Sequence, residues 1–282
     1  MQYIRNYFSF IFMLLLLGAA FLIWNSIIVS GQDAIMEVSF LDVGQGDAIF
    51  IETPDGTQML IDGGPNKKVL SELGDILPFS DRSIDVVMAT HSDQDHIGGL
   101  IDVLERYDVG TIIESGFVGE TGVYAEWVRA RDGEDADIVF AKRGMRVQLD
   151  THVFFDILWP QHVEGLKNPN DASIVGKLIY GDTCFIMTGD AERNSEMRLL
   201  YDDIDCEVLK VGHHGSKTST SDAFVRAVSP AIAIISAGKE NRYGHPHQII
   251  LNVLEKAGAE IFRTDIDKTI ILHSNGSNVL LK

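Results

Sequence analysis

The chain has 282 residues, 45% of them apolar, with 41 acidic against 23 basic side chains and a formal net charge of -18 at pH 7. That length and apolar content suffice for one large domain with its own core, even after the N-terminus is set aside. A surface this acidic excludes tight, non-specific binding of nucleic acid over the whole molecule, so any contact with a polyanion has to be local.

Residues 7–30 form an apolar stretch without a charged side chain. About 20 such residues can span a bilayer. Arg5 precedes the stretch, and Asp33 and Glu37 follow it. The basic flank is therefore expected to stay cytoplasmic and the main domain to be exported. Residues 1–31 read as an uncleaved membrane anchor with Trp24 at the interface, and residues 32–282 as the functional domain. Cleavage after Val29-Ser30-Gly31, giving a secreted domain, is the alternative. The two cysteines, Cys184 and Cys206, sit in apolar, strand-like runs and read as small buried residues. A disulfide between them in an oxidising compartment stays open.

After the anchor, alternating polar and apolar residues predict a strand over 37–41, followed by the glycine-containing loop Asp42-Val43-Gly44-Gln45-Gly46-Asp47. Strands over 48–53 and 58–61 flank the turn Pro54-Asp55-Gly56, and Asp62-Gly63-Gly64 closes the second. Asp62 would either orient neighbouring ligands or cap its own turn. A helix is predicted over 67–77, a buried strand over 84–89 and a helix over 100–107. Further strands are expected over 111–114, 138–141, 147–149 and 153–158, with a helix over 124–131. Residues 160–170 read as a polar loop, and 172–180 with 184–188 as a hairpin around Gly181-Asp182. Then come a helix over 191–200, a strand over 206–211, a helix over 222–228, a strand over 231–236, a loop over 239–247, a helix through Lys256, and strands over 269–272 and 279–281. Strands and a few helices followed by the same again predict an α+β fold, two packed sheets with helices outside.

Between the strand at 84–89 and its helix stands Thr90-His91-Ser92-Asp93-Gln94-Asp95-His96-Ile97-Gly98-Gly99. Four metal-capable side chains fall within six residues on a strand-to-helix turn. His91 and Asp93, two apart, point one way; Asp95 and His96 face a second point. Imidazole with carboxylate suits zinc, manganese or iron rather than calcium. Two such ions close together are a common means of splitting esters and phosphodiesters. Six of the nine histidines cluster in three glycine-rich loops: His91 with His96, His213 with His214, and His245 with His247. Each loop follows a predicted strand, so the three are expected to share a mouth. Asp190, in Thr188-Gly189-Asp190, also ends a strand; its two oxygens could bridge two cations, the alternative being a helix cap.

These motifs, together with Asn170-Asp171-Ala172-Ser173, His213-His214-Gly215-Ser216 and Asn241-Arg242-Tyr243-Gly244-His245-Pro246-His247, resemble the metallo-β-lactamase fold hydrolases. Within them they resemble the exported C-terminal domain of ComEC-type competence proteins, over roughly residues 36–282. The resemblance implies a four-layer αββα sandwich with a dinuclear site of two divalent ions, zinc or manganese. His91 and Asp93 would hold one ion and Asp95 and His96 the other. Asp190 would bridge, and His214 or its neighbour His213 would complete a shell. Asp93 stands where the wider superfamily has histidine, making the site harder and more tolerant of manganese. The superfamily's third-motif histidine is replaced near Asn170.

The expected chemistry is hydrolysis by a metal-activated hydroxide. Asp95 would accept a proton, and His213 or His247 would protonate the leaving oxygen. Asn170, Ser173, Ser216, Lys217 and His245 are candidate substrate contacts, and Lys210, Lys217, Lys239 and Arg242 a candidate local basic patch. A phosphodiester such as a short or single-stranded DNA is the expected substrate. A small phosphoester, phosphorylcholine-type group or lactone is the alternative, and a tethered, non-catalytic binding module is the reading from another class.

Overall fold

The structure, a computed structural model, describes residues 13–20 and 34–282. Residues 13–20 are helical and exposed, and the rest of the expected anchor lies outside the described residues. No helix among the described residues is long and apolar enough to cross a membrane. Residues Met36–Lys282 form one compact unit.

The first half runs β1 (Met36–Phe40), β2 (Ile49–Glu52), β3 (Gln58–Ile61), α1 (Lys68–Ile76), β4 (Ser83–Ala89), α2 (Gln94–Leu104), β5 (Asp108–Glu114), α3 (Gly122–Gly133) and β6 (Asp137–Phe140). The second half runs β7 (Arg146–Gln148), β8 (Val153–Trp159), β9 (Val175–Tyr180), β10 (Thr183–Met187), α4 (Arg193–Leu199), β11 (Val208–Lys210), α5 (Asp222–Val228), β12 (Ile232–Ile235), α6 (Gln248–Ala257), β13 (Glu260–Arg263), α7 (Thr264–Asp267), β14 (Ile270–Ser274) and β15 (Val279–Leu281). Two sheets result, ordered β15-β14-β1-β2-β3-β4-β5-β6 and β13-β12-β11-β10-β9-β8-β7. In each, antiparallel hairpins give way to parallel pairing, from β3 to β6 and from β10 to β13.

Side-chain alternation builds the layers. In β4, Val86 and Met88 join the core between the sheets with Phe155, Phe185 and Leu178. Val87 and Ala89 point the other way, onto Val69, Leu73, Leu100 and Trp127 of α1, α2 and α3. The second sheet does the same: Ile186, Leu209 and Ile235 pack under Leu199, Phe224 and Leu254 of α4, α5 and α6. Each sheet thus buries both faces, one on its twin and one on helices, and the order of layers is αββα.

Three expectations change. The helix expected over 100–107 begins at Gln94, with Asp93 as its N-cap, because Gly98 and Gly99 belong to it rather than ending a loop. A Cβ on Gly99 would lie 2.0 Å from the Gly63 carbonyl oxygen, and one on Gly98 2.4 Å from that of Pro65. The glycines let the helix lie against the Asp62–Asn66 turn, where Gly63 N donates to His96 O at 2.7 Å and Gly99 N to Gly64 O at 2.9 Å. Second, β13 and α7 were not expected. The Glu260–Arg263 run is only half-buried and takes its strand form from parallel pairing with β12. Third, Cys184 and Cys206 are buried but not separate: they form a disulfide, Cα to Cα 5.3 Å, that ties β10 to the entry of β11.

Candidate metal centre

The carboxyl ends of parallel neighbours point to one edge of the sandwich, and there the histidine loops meet. β4 delivers His91, Asp93, Asp95 and His96; β10 delivers Asp190; β11 delivers His213 and His214; the segment after β12 delivers His245 and His247. His213 and His214 both take left-handed backbone, φ 49° and 54°, which turns two successive imidazoles toward the same space.

Asp190 sits in the middle. Its Oδ1 is 3.3 Å from His96 Nε2 and 3.5 Å from His214 Nε2, while its Oδ2 is 4.0 Å from His91 Nε2 and 3.6 Å from His213 Nε2. Asp93 Oδ2 lies 3.8 Å from His91 Nε2, and Asp95 Oδ2 lies 3.4 Å from His214 Nε2. Two ligands about 2.1 Å from one tetrahedral ion stand about 3.4 Å apart, so these spacings suit shared cations. His91, His96 and Asp190 offer atoms all within 4.8 Å of one another, as do Asp95, His96 and His214. Among the described residues, His91 Nε2, His96 Nε2, His214 Nε2 and Asp190 Oδ1 are buried without a hydrogen-bond partner. Buried polar atoms are otherwise almost always paired. Four of them converging fit divalent metal.

The atoms behind these ligands explain their aim. Asp62, at φ 59°, accepts hydrogen bonds from Thr90 N (2.8 Å), Thr90 Oγ1 (2.7 Å) and His96 Nδ1 (2.7 Å). With the Thr90 proton given to Asp62, His91 Nδ1 donates to Thr90 Oγ1 at 3.0 Å. One carboxylate therefore fixes the tautomers of both histidines and leaves each Nε2 lone pair facing inward. Asp62 orients ligands rather than capping a turn. His214 Nδ1 donates to Ser236 O at 3.0 Å and has Asp47 Oδ1 at 3.3 Å. His213 Nδ1 lies 3.3 Å from Glu192 Oε1, which accepts from Thr218 Oγ1 at 3.0 Å and from Asn170 Nδ2 at 3.4 Å.

Metal-free, the cluster holds protons instead. Burial disfavours a charged His214, but Asp190 and Asp47 outweigh it and push its pKa up to about 10. His96 rises well above its usual value against the same burial, through Asp190 and Asp62. Burial also opposes ionisation of Asp190, yet His214, His96 and His91 hold it well below the usual carboxylate range. His91 is lowered by burial and then by His96. His245 is pushed down to about 4 by burial and by His214 and His213.

Several expected substrate contacts are placed elsewhere. Ser173 is fully buried, and its hydroxyl accepts from Asp190 N at 3.2 Å, so it positions Asp190. Ser216 is buried with its hydroxyl on Thr218 Oγ1 at 3.1 Å. Lys210, expected in the basic patch, is wholly buried and donates to Asp47 Oδ2 at 2.7 Å and Val211 O at 3.0 Å. Lys217, Lys239 and Arg242 remain exposed. Asn170 lies by Glu192 with its Oδ1 buried and, among the described residues, unpartnered. His245 stands 5.7 Å from His213 and 6.3 Å from His214, ring to ring, with His247 5.0 Å beyond it. Asp47 and Glu192 were not expected to support ligands. A lone lysine inside the apolar run Val208-Leu209-Lys210-Val211 was the available signal, because a buried ammonium requires a carboxylate.

The profile of the Metallo-beta-lactamase superfamily matches residues 41–239. The chain belongs to this superfamily. It is 36% identical over 254 residues to ComE operon protein 3 of Bacillus subtilis, covering 83% of this chain and 32% of that one. It is 29% identical over 236 residues to Competence protein ComA of Neisseria gonorrhoeae, covering 81% and 31%. The chain thus spans about a third of the length of these curated relatives. Among solved structures, the metallo-beta-lactamase fold protein YhfI from Bacillus subtilis aligns with a TM-score of 0.52 at 11% identity, over 81% of this chain and 95% of that one. That likeness bears on the fold alone. As superfamily members are mostly metal-dependent hydrolases, the His/Asp cluster at the strand ends is the candidate active site. Beside it, next to Asp93, opens a cleft of ≈ 690 Å³ walled by Phe117, Val118, Glu120, Glu164, Leu166 and Lys167.

Proposed function

We propose that this chain is a metal-dependent phosphodiesterase acting on DNA-type strands. The observation that carries the reading is the partition of Asp190, one oxygen toward His96 and His214, the other toward His91 and His213. That suits two divalent ions, zinc or manganese: one held by His91, Asp93, Asp190 and His213, the other by Asp95, His96, Asp190 and His214. Such a pair, when bound, lowers the pKa of water toward neutrality and neutralises charge gathering on a phosphoryl oxygen. Asp95, the more exposed carboxylate of the second set, accepts the proton of the attacking water. With His213 assigned to the first ion, His247 is left to protonate the leaving oxygen, and His245 and Lys217 contact the substrate. The anchor over residues 1–31, with the domain outside the cytoplasm, belongs to the same proposal; the Cys184–Cys206 disulfide supports an oxidising compartment. A role in competence belongs to the same proposal, after the name of the Neisseria relative, Competence protein ComA.

A small phosphoester is the second reading, favoured by the net charge of -18. Salt separates the two: DNA cleavage falls steeply with ionic strength, and small-ester cleavage hardly changes. The test of the mechanism is Asp95→Ala and His96→Ala with manganese and a generic phosphodiester. Each should lower turnover by about 100-fold or more, and unchanged turnover removes the proposal.

A further inference from the structure

The edge that carries the centre is electrically uneven. In the second sheet β8, β10, β11 and β12 all point their carboxyl ends this way, so their loops lie side by side in strand order. The segment after β12 stands at one side of Asp190 and His213; the segment after β8 stands at the other. In the first sheet the loop after β5 lies on the β8 side, since β5 follows β4 outward.

On the β12 side the loop carries Lys239 and Arg242, both exposed, against Glu240 alone; Lys217, also exposed, stands nearer the centre, its carbonyl accepting from Arg193 Nη2 at 3.0 Å. On the β8 side is the cleft beside Asp93, with apolar walls from Phe117, Val118 and Leu166, and Glu120 and Glu164 against Lys167. A strand cut in its interior must lay phosphates on both sides of the scissile bond. One side here favours them, while the other offers apolar surface and an acidic excess, which suits a sugar and a base.

Resting on the phosphodiesterase reading, we propose that the centre cuts strands from an end. The terminal nucleoside fills the cleft, and the remaining phosphates run past Lys217 at the centre and on over Lys239 and Arg242. Water oxygen joins phosphorus, the phosphorus–oxygen bond to the next sugar breaks, and that sugar oxygen takes a proton. The phosphate leaves with the terminal nucleoside as a mononucleotide. The shortened strand then ends in a hydroxyl and again presents an uncharged end to the cleft. Rupture of the other bond would leave a terminal phosphate facing Glu120 and Glu164 and stall the next cut.

The experiment compares purified full-length chain, loaded with manganese, on linear single-stranded DNA, the same DNA circularised, and bis(p-nitrophenyl) phosphate. Linear DNA should yield mononucleotides, and the circle should be cut at least about tenfold more slowly. The double variant Glu120→Lys/Glu164→Lys should narrow that deficit. A circle nicked as fast as the linear strand, or linear products that are long fragments, overturns end-directed cutting and leaves phosphodiester hydrolysis standing. Turnover of the small diester but not of linear DNA does the same. No turnover of any of the three overturns both readings.

Discussion

Lys210 brings an ammonium to the place where the two sheets meet the metal loops, with Asp47 and a backbone carbonyl to receive it. Asp47 in turn stands beside His214 Nδ1 at 3.3 Å, and its backbone N–H donates to Asp95 O at 3.2 Å. Burial opposes the ionised Asp47, but Lys210 and His214 keep it well below the usual carboxylate range. Removing one partner of such a pair leaves an uncompensated charge in low dielectric, so Lys210→Met should destabilise the fold by about 3–5 kcal/mol. Lys210→Met with Asp47→Asn should recover part of that loss. Denaturant unfolding of the two single variants and the double closes the cycle, and strict additivity would show that the pair is not coupled.

At the scale of elements, the disulfide is the tie between neighbouring strands that the motifs do not announce. Cys184 and Cys206 are 22 residues apart and enclose the Asp190 turn and α4. Closing a loop of this size stabilises by about 3 kcal/mol in the chain-entropy account, roughly 6–12 °C in Tm for a domain of this length. Cys184→Ser/Cys206→Ser is expected to melt lower by that amount in a thermal scan. A reducing agent should shift the parent and not the variant; equal melting of the two proteins would mean the bond contributes nothing. The hairpins were legible from turn residues and apolar runs, whereas the parallel pairing from β3 to β6 and from β10 to β13 came only with the structure. The start of α2 was not legible either, because two glycines that look like a loop exit are there for backbone contact with the Asp62 turn. Strand β13 was hidden for a related reason: its form comes from pairing with β12, not from its own pattern.

For the whole molecule, the centre couples metal to stability and pH. In the metal-free protein His214 titrates at about 10, against about 6.5 when unfolded. The folded state thus keeps a proton that the unfolded chain has lost. That contribution is fully present below about pH 6.5 and is lost as pH rises through about 10. Metal competes for the same nitrogen, so its binding strengthens over that range. A chelator should therefore lower Tm more at pH 9 than at pH 6.5. At free metal about 100 times Kd the bound form gains about 2.7 kcal/mol, or roughly 6–10 °C. Scans at both pH values check this, and an equal drop would mean that metal does not displace the His214 proton.

Sequence alone determined the layered α+β architecture and the strand-end position of the histidine loops, and it marked His91, Asp93, Asp95, His96 and Asp190 as candidate donors, with His214 or His213 added by the family resemblance. Periodicity and ligand spacing are local properties, and they are written along the chain. Tertiary structure decided what stands behind those ligands: Asp62 under two histidines, Glu192 under His213, Ser173 on Asp190, and Lys210 inside rather than on the surface. Those assignments depend on which strands lie side by side, and a long-range contact between buried charges leaves only a faint mark in the sequence, a polar residue in an apolar run, with nothing to name its partner.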